Sequence, residues 1–208
     1  MGEQRNGLPG VAAAAAVGGG LAWIPVRLGV SVAYSAPFLE LDYVTWNKLM
    51  AVPLVLMMVT TLGLVPRRCA RGPRLAAAVV LLGLAGMLAG VVIEFFVAGG
   101  LNGDRDGAML GWGTYLIGLA VHVVGLLALG VMLRRAVVGW LALLVAVLHL
   151  AWLPAGMLQE AWLLVADQVA IGFAWVGIGA AIWWQARRRG GERASSESRD
   201  QIQETSVA

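Results

Sequence analysis

The sequence predicts an all-α, polytopic membrane helix bundle with six transmembrane helices and both termini on the cytoplasmic side. Three observations carry that expectation. Of 208 residues, 60% are hydrophobic and only 13% are charged, where a soluble domain carries about 25% charged residues. The apolar residues gather into runs near the roughly 20 residues that cross a hydrocarbon core of about 30 Å. Arginine clusters recur in every second connection, the alternation that the positive-inside rule asks of a multi-pass chain. Mean hydropathy, at +0.79, agrees.

Residues 1–10, MGEQRNGLPG, form a short cytoplasmic start. They are compatible with a signal peptide, but no sizeable soluble domain follows, so a retained first helix is expected. Asn6 breaks the myristoylation pattern. The transmembrane domain covers 11–186. Its first span runs from Val11 to Ala33 and is interrupted by Arg27. The second, Leu49 to Val65, carries Pro53 in its first turn, where a missing N–H is tolerated. The third is Leu75 to Ala98, the fourth Ala108 to Leu133, the fifth Ala136 to Leu153 and the sixth Ala161 to Ala186. The fourth and sixth exceed the core thickness and are expected to tilt. Residues 187–208 are polar and mixed in charge; with little apolar surface to bury, they are expected to be a disordered cytoplasmic tail.

The connections set the orientation. PRRCARGPR (66–74), LRRA (133–136) and QARRRGG (185–191) are basic, whereas LELDYVTWNK (39–48), GGLNGDRDGAM (99–109) and AGMLQE (155–160) are acidic or neutral. Tryptophans fit two interfacial belts, with Trp46, Trp112, Trp152 and Trp162 outside and Trp140, Trp183 and Trp184 inside.

Several function classes are excluded by what the chain lacks. A single cysteine, Cys69, rules out an internal disulfide framework and a thiolate metal cluster. Cys69 lies among arginines that favour its thiolate, and a lone loop cysteine is read as incidental. The net charge of +3 is small and its arginines flank apolar runs, so they are topology signals and no nucleic-acid partner is expected. No P-loop, HExxH, GxSxG or CxxC motif is present, and no metal site is expected. Lys48 is the only lysine beside abundant Ala, Gly, Val, Leu and Arg; that bias suits a GC-rich bacterial genome and a bacterial cytoplasmic membrane. The lipid bilayer is the expected partner, and homo-oligomers are compatible with the small-residue faces.

The polar groups inside the bilayer are few and grouped. Outside the terminal tails the acids are Glu40, Asp42, Glu94, Asp104, Asp106, Glu160 and Asp167, all on the outer half. At about 1.5 Å of rise per residue, Glu94 and Asp167 stand roughly 28 Å above the inner ends of their spans and Arg27 roughly 24 Å, which makes Arg27 a candidate ionic partner for either. Gly83, Gly86, Gly90 and Glu94 share one helical stripe, and Asp167 shares another with Ala170, Ala174, Gly177 and Ala181; Glu160, seven residues earlier, continues that second stripe. Small-residue stripes let helices approach closely. The two histidines, His122 and His149, reach similar heights of roughly 17 and 20 Å on consecutive antiparallel spans. His122 is flanked by Gly118 and Gly125 on a stripe that includes Gly111, and His149 follows Ala142 and Ala146. They are placed to touch, to bond between helices or to share a ligand.

These groups suggest an outward-facing polar pocket that binds or passes a small apolar or cationic ligand. Arg27, His122, His149, Tyr115 and Glu160 are the candidate ligand-binding residues, and Glu94 and Asp167 the candidate catalytic pair. The bland alternative has the carboxylates reaching water or Arg27, with no cofactor. A sharper one has His122 and His149 as axial ligands of a non-covalent haem b for electron transfer. A glutamate beside Phe95 and Phe96, and an aspartate in the last span, resemble in composition the integral-membrane terpenoid cyclases, which set two carboxylates among aromatics in a compact bundle. That resemblance implies acid-catalysed chemistry on an isoprenoid or lipid, with Glu94 as proton donor and Asp167 as base.

Overall fold

The structure, a computed structural model, describes residues 7–34, 37–64, 70–100, 103–157 and 161–207, with 7–8, 152–157, 161 and 189–207 described by backbone course alone. The described chain is helical apart from short connecting turns and an isolated bridge between Phe38 and Leu41. In order, the helices are α1 (Gly7–Ala33), α2 (Tyr43–Leu49), α3 (Ala51–Leu64), α4 (Arg71–Val91), α5 (Arg105–Met132), α6 (Val137–Met157) and α7 (Ala161–Val207). A π-helical turn, Val92–Val97, extends α4. Five stretches are long and apolar enough to cross a membrane: Pro9–Ala33, Tyr43–Leu64, Arg71–Val97, Arg105–Met132 and Trp162–Arg188. The apolar part of α6, Val137–Ala151, is shorter. This is a polytopic helical bundle.

Each long helix packs on its neighbour in sequence, and the last packs on the first. α1 contacts α3, α3 contacts α4, and the order continues through α5 and α6 to α7, which lies against α1. The ring therefore closes. Its interior is apolar, with Leu54, Val80, Leu84, Val145 and Ile171 fully enclosed. The outward faces are apolar as well: Leu62, Leu82, Val124 and Phe173 are each more than 60% exposed. Helices that are hydrophobic all round need an apolar solvent, which is what a bilayer supplies.

Glycine sets the closest seam. Gly83, Gly86 and Gly90 of α4 face Gly111, Gly118 and Gly125 of α5. A Cβ added at Gly86 would lie 2.9 Å from the Gly118 Cα, and one at Gly125 would lie 2.6 Å from the Val80 nitrogen. These are backbone-to-backbone approaches that side chains would forbid. A second seam joins α1 and α7, where a Cβ at Gly20 would run into the Gly172 carbonyl and one at Gly172 would lie 2.8 Å from the Gly20 carbonyl. The glycine stripe expected on span three is thus an interhelical contact. On α7, Gly172 and Gly179 make the approach to α1, while the expected stripe reaches α6, where a Cβ at Gly177 would lie 3.3 Å from the Leu141 side chain.

Three elements differ from the sequence reading. The second span begins at Tyr43, because α2 runs almost directly into α3 across Met50. Asp42 starts it as an N-cap, accepting a 2.7 Å hydrogen bond from the Thr45 N–H; a capped helix start can enter the membrane boundary from what composition alone makes a loop. The Thr45 hydroxyl and N–H hold the Asp42 carboxyl below its ordinary value of 3.8. A lowered folded pKa means stability that is present above the unfolded value and lost as pH falls through the folded one. Asp42→Ala is therefore expected to lower the melting temperature slightly above pH 4 and to leave it unchanged near pH 2; a constant loss at both would show that the cap is not the cause.

Trp46 is the second difference. It packs inside the protein instead of facing outward, its Nε1–H donates to the Phe38 carbonyl at 3.1 Å, and its indole covers Gly29 of α1, where no Cβ would fit. Trp140, Trp162, Trp183 and Trp184 are exposed as an interfacial belt requires. At the exit of the last span, Arg187 stacks 4.0 Å from the Trp183 ring centroid and Arg188 stacks 3.6 Å from that of Trp184.

The third is the C-terminal segment. α7 continues as helix to Val207, where composition predicts an irregular tail after 187. A lack of apolar surface does not bar the backbone hydrogen bonds of a helix. Cys69 lies outside the described residues.

Candidate functional site

A cavity of about 470 Å³ opens at the end of the bundle that carries α2 and the π-turn. Every long helix except α3 lines it. Arg27 comes from α1, Tyr43 and Asn47 from α2, Glu94 from the π-turn, Tyr115 from α5, His149 from α6 and Gln168 from α7. The ring closure described above is what brings α1 and α7 to the same chamber as α4 and α5.

Glu94 is placed by backbone geometry. Its Cβ and nitrogen rest on Gly111 of α5, where an added Cβ would lie 2.5 Å from the Glu94 nitrogen. The π-turn is closed by Ala98 N–H to the Ile93 carbonyl (2.9 Å) and by Gly100 N–H to the Glu94 carbonyl (2.8 Å). Gly99 and Gly100 reverse the chain at φ of 76° and 75°, a left-handed conformation that glycine adopts without strain. Short π-helical segments widen a helix locally and recur at functional sites. Glu94 is 8% exposed, and among the described residues its carboxylate has no hydrogen-bond partner.

Arg27 does not meet a carboxylate directly. Its Nε–H donates to Gln168 Oε1 at 2.9 Å, and Gln168 Nε2–H donates to Asp167 Oδ2 at 2.9 Å. Among the described residues no nitrogen of Arg27 comes within 4.0 Å of an acid oxygen, so the expected ion pair with Glu94 or Asp167 is replaced by a relay through an amide. The guanidinium also lies 5.6 Å from the Trp23 ring centroid. Asp167 is buried, does not line the cavity, and keeps Oδ1 without a partner. Of the pair 167–168, it is the glutamine that lines the chamber. The reading of Asp167 as a pocket carboxylate is corrected accordingly.

The histidines do meet. Their ring centroids are 5.5 Å apart at 73°. His149 lines the cavity and its Nδ1 lies 2.8 Å from the Val145 carbonyl; a carbonyl only accepts, so Nδ1 carries the proton and Nε2 is left as the acceptor. His122 stands behind it, 1% exposed, with Nδ1 unpartnered. It does not line the cavity. Axial ligation needs the iron and its macrocycle between the two rings, whereas here the rings stand in edge contact; the pair would have to separate to hold one. Among the described residues no group of three metal-ligating side chains occurs.

Aromatic side chains complete the chamber. Tyr43 packs edge-on against Phe95 at 5.9 Å and against Tyr34 at 5.7 Å. Asn47 is held by an Nδ2–H bond to the Tyr43 carbonyl at 2.9 Å. Arg27, Glu94, Tyr115 and His149 are therefore brought together in one cavity, while His122 and Asp167 are buried outside its lining and Glu160 lies outside the described residues. Gln168, Tyr43, Asn47 and Trp23 are additions that the sequence reading misses. Polar residues buried at helix positions facing an arginine are the signal that was available for Gln168. No protein-family model, no curated protein and no solved structure matches the chain.

Proposed function

We propose that this is a multi-pass membrane protein that binds a small amphipathic ligand in a chamber open to the outer face. The observation that carries the reading is a single one: Glu94 and Arg27 both present uncompensated polar atoms to one cavity of about 470 Å³ whose remaining walls are mainly aromatic and aliphatic, with Ser31, Asn47, His149 and Gln168 as the other polar side chains. That volume and that mixture of apolar lining with a few polar anchors are typical of small-molecule sites. The outward direction is supported by the arginine pattern, since the chamber lies at the end bearing 39–48 and 99–109, opposite the basic connections. The arginine-rich, lysine-poor composition supports a bacterial cytoplasmic membrane. Leu84, Leu126, Val145 and Ile171, none of which lines the cavity, are fully buried and apolar, which favours binding at a closed-ended site over a continuous conduit. Two-carboxylate acid catalysis is less well supported, because Asp167 stands behind Gln168 and Glu94 faces the cavity without it.

Native mass spectrometry of the protein extracted from its own membrane tests this. The wild type is expected to carry a bound small molecule. Leu119→Trp, which fills the chamber from the α5 wall, is expected to lose it while keeping its helical content. A wild type that is released bare, and whose melting temperature no added amphiphile raises, would remove the ligand site.

A further inference from the structure

The chamber carries two charges of opposite sign that do not satisfy each other. Burying a carboxylate without a partner is costly, yet Glu94 is 8% exposed and has no hydrogen-bond donor among the described residues. On another wall, Arg27 is pinned through Nε to Gln168 and lies over Trp23, and its terminal nitrogens bond to no described residue. The two are beyond ion-pairing range of each other, but Tyr43 and Tyr115 line the same cavity as both. One molecule lying along those tyrosines meets both charges.

Each charge has surroundings suited to a particular partner. Glu94 lines the cavity with Tyr43 and Phe95, whose rings pack edge-to-face, and a carboxylate in an aromatic-lined cavity holds an ammonium group by Coulomb attraction and cation–π contact together. Arg27, with Nε already used, offers the paired NH₂ groups of its fork, which match a carboxylate or phosphate in two parallel hydrogen bonds. A cation alone would leave Arg27 uncompensated, and an anion alone would leave Glu94 so. We infer that the cavity selects a zwitterion, with its ammonium at Glu94 and the tyrosines and its carboxylate or phosphate at Arg27. This rests on the reading of the chamber as a ligand site. The same chemistry is offered by a free small zwitterion and by the headgroup of a zwitterionic phospholipid, whose chains would follow the apolar edge at Val32 and Leu164.

Calorimetric titration of the full chain in uncharged detergent separates the outcomes. Glycine betaine and a short-chain phosphatidylcholine are the zwitterionic probes, choline the cation alone and acetate the anion alone. At least one zwitterionic probe is expected to bind about tenfold or more tightly than choline or acetate. Glu94→Gln is expected to weaken the zwitterion about thirtyfold and leave acetate unchanged, and Arg27→Gln to weaken it similarly and leave choline unchanged. Binding of phosphatidylcholine without betaine assigns a lipid headgroup; binding of betaine assigns a free solute. If choline or acetate alone matches the zwitterions on the wild type, or if both variants leave zwitterion affinity unchanged, the inference is overturned while the ligand site stands. If no probe binds and nothing co-purifies, the ligand site itself falls.

Discussion

Gly118→Val is expected to destabilise the bundle by about 3 kcal/mol or more, the upper end of what overpacking costs. The added Cβ would run into the Met87 nitrogen and lie 2.6 Å from the Gly86 carbonyl carbon and 2.8 Å from the Gly83 oxygen. All three are backbone atoms of α4, so no rotamer change relieves the clash and the helices themselves must separate. Separation would also unseat Glu94 from Gly111 and His122 from Gly83, because the same seam positions both. Gly113→Ala on the same helix is the matched control, since nothing lies within 4 Å of the position its methyl group would take; it is expected to stabilise by up to about 1 kcal/mol through helix propensity. Denaturant titration in mixed micelles measures both. Equal, small effects at the two positions would mean that α4 and α5 do not approach through this stripe.

How much of this is legible in the sequence follows from which quantities helical geometry determines. Rise per residue is constant, so the common height of His122 and His149 can be counted along the chain, and their rings do meet. A repeat of glycines at three and four residues marks a face, and Gly83, Gly86 and Gly90 do form the α4 side of the seam. Rotation about a helix axis is read less well. Asp167 and Gln168 differ by one position, and which of them enters the chamber depends on how α7 turns against α1. That turn is set by Gly20 and Gly172, on a face no sequence pattern singles out. The π-turn is likewise invisible, because one residue added to a helical turn leaves hydrophobicity unchanged; Gly99 and Gly100 mark only its end. Tyr43 and Asn47 read as loop because LELDYVTWNK is polar on average, whereas a capped α2 buries one face of it.

Gln168→Leu is expected to cost about 2–3 kcal/mol in stability, although leucine fills nearly the same space. Among the described residues Gln168 is the link between Arg27 and Asp167: its oxygen accepts from Arg27 Nε and its nitrogen donates to Asp167 Oδ2. Asp167 Oδ1 already lacks a partner, so removal of the amide leaves both oxygens of a buried acid unsatisfied, and an unmade bond at a buried polar atom costs more than a made one contributes. Arg27 loses its anchor at the same time and is free to swing toward Glu94. The variant is therefore expected to weaken binding of an anionic or zwitterionic ligand without removing either charge from the chamber. Asp167→Asn separates the two effects: in the Gln168→Leu background it should restore part of the stability, because a neutral amide is cheaper to leave unpaired than a carboxylate, and should not restore the ligand affinity. Thermal unfolding and calorimetry on the four members of this double-mutant cycle supply the coupling. Strict additivity would show that Gln168 does not bridge Arg27 and Asp167, and the electrostatic arrangement of the α1–α7 wall would have to be redrawn.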